Sequence, residues 1–95
     1  MTIIKQEIIL RLTQIFAPLI LDVIDDSAKH RGHRESGTGQ ETHFRIMIVS
    51  DLFAEQNSVK RHRAVYDVLD DLMKTSVHAL SLTLRTPKEH ETIKA

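Results

Sequence analysis

Between Glu41 and Asp51 the chain reads ETHFRIMIVSD, in which Thr42, Phe44, Ile46 and Ile48 alternate with His43, Arg45, Met47 and Val49. β-Branched and aromatic residues on a period of two predict a strand with one well-buried face. Upstream, Ile4, Ile8, Leu12, Ile15 and Phe16 recur at helical spacing, with Lys5, Gln6, Arg11 and Gln14 outside the stripe. Thr2 is placed to cap this first helix and Pro18 to stop it, because the residue before a proline avoids the helical region. The segment Leu19–Asp26, LILDVIDD, reads as a second strand, at the sheet edge, where its acids discourage pairing with another molecule.

Ser27–Gln40, SAKHRGHRESGTGQ, carries all three glycines of the chain and no large apolar residue, which predicts a flexible surface loop bearing His30 and His33. After the central strand, Ser50-Asp51 turns the chain and Leu52-Phe53 offers a short apolar anchor. Asn57 or Ser58 then caps a long helix running to about Thr75. Its inner stripe is Val59, His62, Val65, Leu69 and Leu72, widened by Tyr66, Val68 and Met73, so His62 is expected as a core histidine. Val77–Leu84, VHALSLTL, closes the pattern as a third strand with His78 as its second residue; residues 88–95 are expected as a polar tail.

This order predicts an α+β domain. Two strands joined by a loop are antiparallel, and a strand–helix–strand crossover makes the last strand parallel to the central one. Helices then cover one face of a three-stranded mixed sheet. The parallel arrangement brings His78 to the end of the sheet where the loop with His30 and His33 re-enters. His43, on the side opposite Phe44, is within reach of the same site but is read as structural, and no role falls to His90.

Composition narrows the chemistry. Ninety-five residues suit one domain, and a hydrophobic share of 41% with 27% charged residues is that of a soluble globular protein. Lys+Arg and Asp+Glu both total 13, so no global field favours nucleic acid or membrane. The longest apolar run is too short for a bilayer and no secretory start is visible. Cysteine is absent, which excludes disulfides and thiolate chemistry of the chain's own and fits a reducing cytoplasm. No Gly-x-Ser-x-Gly turn, phosphate-cradling glycine motif or acid–histidine constellation points to an enzyme.

Two constellations remain. The first is the convergence of His78 with a loop histidine, an incomplete metal site whose missing soft ligands would come from a partner. The second is Lys60-Arg61-His62-Arg63 at a helix start, with Asp67, Asp70 and Asp71 later in the same stretch. That order opposes the helix dipole and marks Lys60, Arg61 and Arg63 as candidates for phosphate or nucleic-acid contact. Intramolecular pairing with Glu41, Asp51 or Glu55 is the competing explanation.

The runs DDSAKH (Asp25–His30), ETHFRIMIVSDLF (Glu41–Phe53), RHRAVYDVL (Arg61–Leu69) and VHALSL (Val77–Leu82), in this order between Leu21 and Pro87, resemble the BolA family of its histidine-loop type. The resemblance implies a class II KH-like fold of αββααβ order. It also implies partnership with a monothiol glutaredoxin, the two proteins and glutathione sharing a [2Fe-2S] cluster in iron–sulfur or iron homeostasis. By position, His78 is the family's C-terminal ligand and His30 the loop ligand, with His33 as an alternative. The Arg61–Arg63 helix is the part that bacterial members described as transcriptional regulators would bring to DNA. Two positions depart from the family pattern. Glu55 stands where the family carries glycine two residues after a phenylalanine, and the loop is longer. The GxxG clamp of RNA-binding KH domains is also missing.

Overall fold

A computed structural model describes residues 3–26 and 43–94. Helix α1 spans Ile3–Phe16, strand β1 Ile20–Asp25 and strand β2 His43–Val49. A single 3-10 turn at Asp51–Phe53 leads to helices α2, Ser58–Val68, and α3, Asp70–Thr75; strand β3, Ala79–Arg85, and helix α4, Pro87–Lys94, complete the chain. The strand order is β1-β2-β3, with β1 antiparallel and β3 parallel to the central β2. The expected edge and centre are therefore in place, as is the α+β architecture. Thr2 and the glycine-rich 27–40 segment lie outside the described residues, and so do Glu41 and Thr42.

Strand register explains the one-sided core. Val23 pairs with Ile46 and Leu21 with Ile48, while Phe44, Ile46 and Ile48 pair with Leu80, Leu82 and Leu84. Cross-strand partners share a face, so these residues form one apolar layer. Against it pack Ile8, Leu12 and Phe16 of α1, Phe53, Val65 of α2, Leu69, and Leu72 of α3. Each fully buried aliphatic or aromatic side chain contributes about 1.5–3 kcal/mol relative to exposure. Phe16 and Phe53 add a tilted ring contact with centroids 5.3 Å apart. The opposite face, with Asp22, Ile24, Arg45, Met47, Ser81 and Thr83, forms a shallow depression.

Several sequence expectations are corrected. Ile15 is 53% exposed, so the α1 stripe ends with Phe16. The helix stops there because Ala17, ahead of Pro18, takes a left-handed φ of 43°. The long helix is two helices, parted at Leu69 (φ −104°, ψ 14°), although Leu69 N–H still donates to Val65 O and Met73 N–H to Leu69 O. The break changes the meaning of the acids. Asp70 and Asp71 occupy the first turn of α3 and Lys74 its last, the order a helix dipole favours. Asp71 also pairs with Arg11, whose guanidinium holds the Asp71 carboxyl below its ordinary value and ties α3 to α1.

Asn57 is the cap of α2, its side chain accepting from Lys60 N–H at 2.9 Å. Ahead of it, Gln56 N–H donates to Phe53 O at 3.1 Å across Ala54 (φ −59°, ψ 138°) and Glu55 (φ 65°). Those angles are those of a type II turn, whose third residue favours glycine. The one position where this sequence departs from the family's glycine is therefore a position that needs a positive φ.

The last residues are not a tail. Thr86 and Glu89 form a reciprocal capping box, with Glu89 N–H donating to Thr86 Oγ1 at 3.2 Å and Thr86 N–H donating to Glu89 Oε1 at 2.9 Å. Pro87 sits at the first helical position, where its missing N–H costs nothing. Among the described residues, no helix is long and apolar enough to cross a membrane.

Candidate functional site: an imidazole rim and a basic helix

The parallel pairing of β3 brings three strand ends to one rim of the sheet. Asp26, one residue past β1, donates its N–H to the His43 carbonyl at 2.7 Å, and His43 pairs in register with Ala79, the first residue of β3. His78 immediately precedes that strand and is exposed; it lies one residue outside the strand rather than within it. The rings of His43 and His78 meet edge to face, centroids 6.0 Å apart at 85°. Beside them, Arg45 Nε lies 3.4 Å from Asp26 Oδ2.

The chain between Asp26 and His43, which carries His30 and His33, leaves and re-enters at this rim; those two histidines lie outside the described residues. His43, read from sequence as structural, is the imidazole that the described structure places beside His78. Its position as the first residue of β2, paired with the start of a parallel strand, is the signal that finds it.

Two neutral imidazoles can each give one nitrogen to a metal. The chain has no thiolate, and among the described residues no three His, Cys, Asp or Glu side chains cluster to hold an ion. Among the described residues the rim could therefore offer a metal two nitrogens at most, and any further donors would come from elsewhere.

The basic helix divides by exposure. Arg61 is turned inward, its side chain 12% exposed. Its Nε donates to Gln56 O at 2.9 Å, Nη1 to Leu84 O at 3.1 Å, and both terminal nitrogens to the Glu89 carboxylate at 2.7 and 3.1 Å. The guanidinium also lies over the Phe53 ring, 5.7 Å from its centroid. Among the described residues its intramolecular partner is thus Glu89, not Asp51 or Glu55; Glu41 lies outside them. Lys60 and Arg63 are exposed, with no ion partner among the described residues. Two members of the expected inner stripe also point outward. Val59 is 55% exposed, and His62 is exposed with Nδ1 2.9 Å from Ser58 O. The helix packs instead with Arg61, Ala64, Val65 and Val68 inward, a rotation that turns Val59 and His62 to the outside.

Fold and rim together define a small α+β domain with helices on one sheet face and paired imidazoles where two parallel strands begin. The chain belongs to the BolA family: the family model described as BolA-like protein matches residues 12–89. It is 38% identical over 88 residues to the DNA-binding transcriptional regulator BolA of Escherichia coli (strain K12), covering 93% of this chain and 80% of that protein. It is 46% identical over 76 residues to SufE-like protein 1, chloroplastic/mitochondrial, of Arabidopsis thaliana, spanning 76% of this chain but 20% of that protein's length. Among solved structures, the BolA domain of SufE1 from Arabidopsis thaliana superposes with a TM-score of 0.83 at 38% identity, over 94% of this chain and 98% of that one. BolA1 from Arabidopsis thaliana gives 0.82 at 38% identity, over 90% and 93%.

Proposed function

We propose that this protein is a non-enzymatic partner of a monothiol glutaredoxin, sharing a [2Fe-2S] cluster with it and with glutathione in iron–sulfur or iron homeostasis. His78 supplies one nitrogen, and the 27–40 segment supplies the other through His30, with His33 as the alternative. The observation that carries this is the position of His78, exposed at the rim where that segment both departs and returns. His30 is four residues beyond Asp26, so covalent geometry keeps it within about 14 Å of that anchor. A cysteine-free chain needs thiolates from outside, and glutaredoxin and glutathione provide them. Such chemistry suits a reducing compartment such as the cytoplasm.

The test is cluster reconstitution with a monothiol glutaredoxin and glutathione, comparing visible spectra of the wild type with His78→Ala, His30→Ala and His33→Ala. Loss of the wild-type spectrum in His78→Ala and in one loop variant is expected. Spectra identical to wild type in all three would end the assignment.

A second reading has its own support. Lys60 and Arg63 are exposed cations in a helix whose first turn holds no acid, and a relative is named a DNA-binding transcriptional regulator. In this reading the chain binds DNA, with Lys60 and Arg63 on phosphates and Arg61 fixing the helix that presents them. Each phosphate contact steepens the salt dependence of affinity by about 0.9 in log–log slope. Lys60→Ala and Arg63→Ala should each flatten the slope by about that much. Affinity insensitive to salt would exclude it.

A further inference from the structure

The outward face of α2 carries a stripe the preceding functions leave unused. Val59, His62, Arg63 and Tyr66 follow one another at helical spacing and line a shallow groove with Ser58 and Asp67. An exposed helix face is usually polar, yet here Val59 is 55% and Tyr66 36% exposed. The His62 ring is oriented: a carbonyl only accepts, so Nδ1–H donates to Ser58 O in the neutral ring and Nε2 is left as an acceptor. Arg63 flanks these rings, and Lys60 adds a second cation nearby in the same helix.

An aromatic ring, a fixed imidazole and a guanidinium along roughly 6 Å of helix match what an unpaired nucleotide presents: a flat base, with a phosphate beside it. We infer that this groove is a stacking platform for single-stranded nucleic acid, with Tyr66 under a base and Arg63, aided by Lys60, on the adjoining phosphates. The inference rests on the nucleic-acid reading above and makes its ligand an unpaired strand. Base–aromatic stacking tolerates any sequence because every base has a π-face. Charge complementarity selects the occupant: the cations have no acidic partner among the described residues. Asp67 at the groove's far end opposes a phosphate there and suits a base amino group instead.

Tyr66 is the chain's single tyrosine, and tryptophan is absent, so intrinsic emission reports on this site. Titration with a short single-stranded oligonucleotide should quench that emission. An abasic strand of equal length should bind about 10-fold more weakly and quench little. Anisotropy of a labelled strand should show about a 10-fold loss for Tyr66→Ala and near-wild-type affinity for Tyr66→Phe, which keeps the ring. Far-ultraviolet circular dichroism of both variants checks that the fold persists. Duplex binding as tight as single-strand binding, without quenching, would overturn the platform while leaving phosphate contact intact. Binding to neither form would remove both. Equal quenching by poly-glutamate would replace the nucleotide with an acidic peptide and overturn the proposal as well.

Discussion

The guanidinium of Arg61 and the carboxylate of Glu89 meet through two hydrogen bonds of 2.7 and 3.1 Å. The pair fastens α4 to the start of α2, and the same arginine reaches Gln56 O and Leu84 O. Arg61→Ala would leave these acceptors without their donor and remove the cation from the Phe53 ring. A loss of about 2–3 kcal/mol is expected in chemical denaturation. An Arg61→Ala variant as stable as wild type would show that the arginine is dispensable to the fold.

Glu89 gives that contact a pH signature. Its bond to Arg61, helped by Thr86 N–H, lowers the Glu89 carboxyl from an ordinary 4.5 to about 2. A folded-state value below the unfolded one contributes stability above about pH 4.5 and loses it as pH falls toward 2. The pair is partly exposed, so solvent screening limits Glu89→Gln to about 1 kcal/mol at neutral pH. Denaturation curves of the variant and wild type should converge between those two pH values. A gap that stays constant down to pH 2 would mean the carboxylate charge is not what matters.

Glu55 holds φ at 65° in the type II turn between Phe53 and Gln56. Glycine adopts that angle without a Cβ clash, though it loses more entropy on folding. Glu55→Gly should therefore stabilise by about 0.5–1 kcal/mol, raising Tm by roughly 2–8 °C in a domain this size. Glu55→Val should lower it, because a β-branched residue is poorly accommodated there.

Ser50 is 1% exposed, and its hydroxyl both donates to Phe16 O at 2.7 Å and accepts from Leu52 N–H at 3.1 Å. It joins the end of α1 to the turn after β2. Ser50→Ala should cost about 1–3 kcal/mol by stranding the buried Phe16 carbonyl and removing the acceptor of the part-buried Leu52 N–H, and Ser50→Thr should recover less than half of that for want of space. Thermal unfolding of the two variants separates hydrogen bonding from packing.

His43 stands edge to face with His78 at 6.0 Å. If it orients His78, His43→Ala should weaken cluster retention about 10-fold while leaving the spectrum's form unchanged. If it ligates in place of a loop histidine, the form of the spectrum itself should change. Retention and spectrum both equal to wild type would leave His43 with a packing role alone.

Much was legible in the residue pattern. Alternation along His43–Val49 specified a strand with one buried face, and the order of elements required a parallel third strand, which is why His78 reaches the rim. Helical spacing of Ile8, Leu12 and Phe16, and of Val65, Leu69 and Leu72, identified the residues that cover the sheet. These are local periodicities, and burial rewards them wherever the chain goes. Long-range contacts lay beyond such reasoning. Arg61 reads as a surface cation until α4 brings Glu89 to it, and α4 itself was signalled only by Thr86, Pro87 and Glu89 in a segment too polar to suggest a helix. The break at Leu69, the rotation that exposes His62 and Val59, and the meeting of His43 with His78 were each decided by tertiary structure. Packing against the sheet fixes a helix's rotation and a strand's starting point to within one residue, a precision that hydrophobic spacing by itself does not carry.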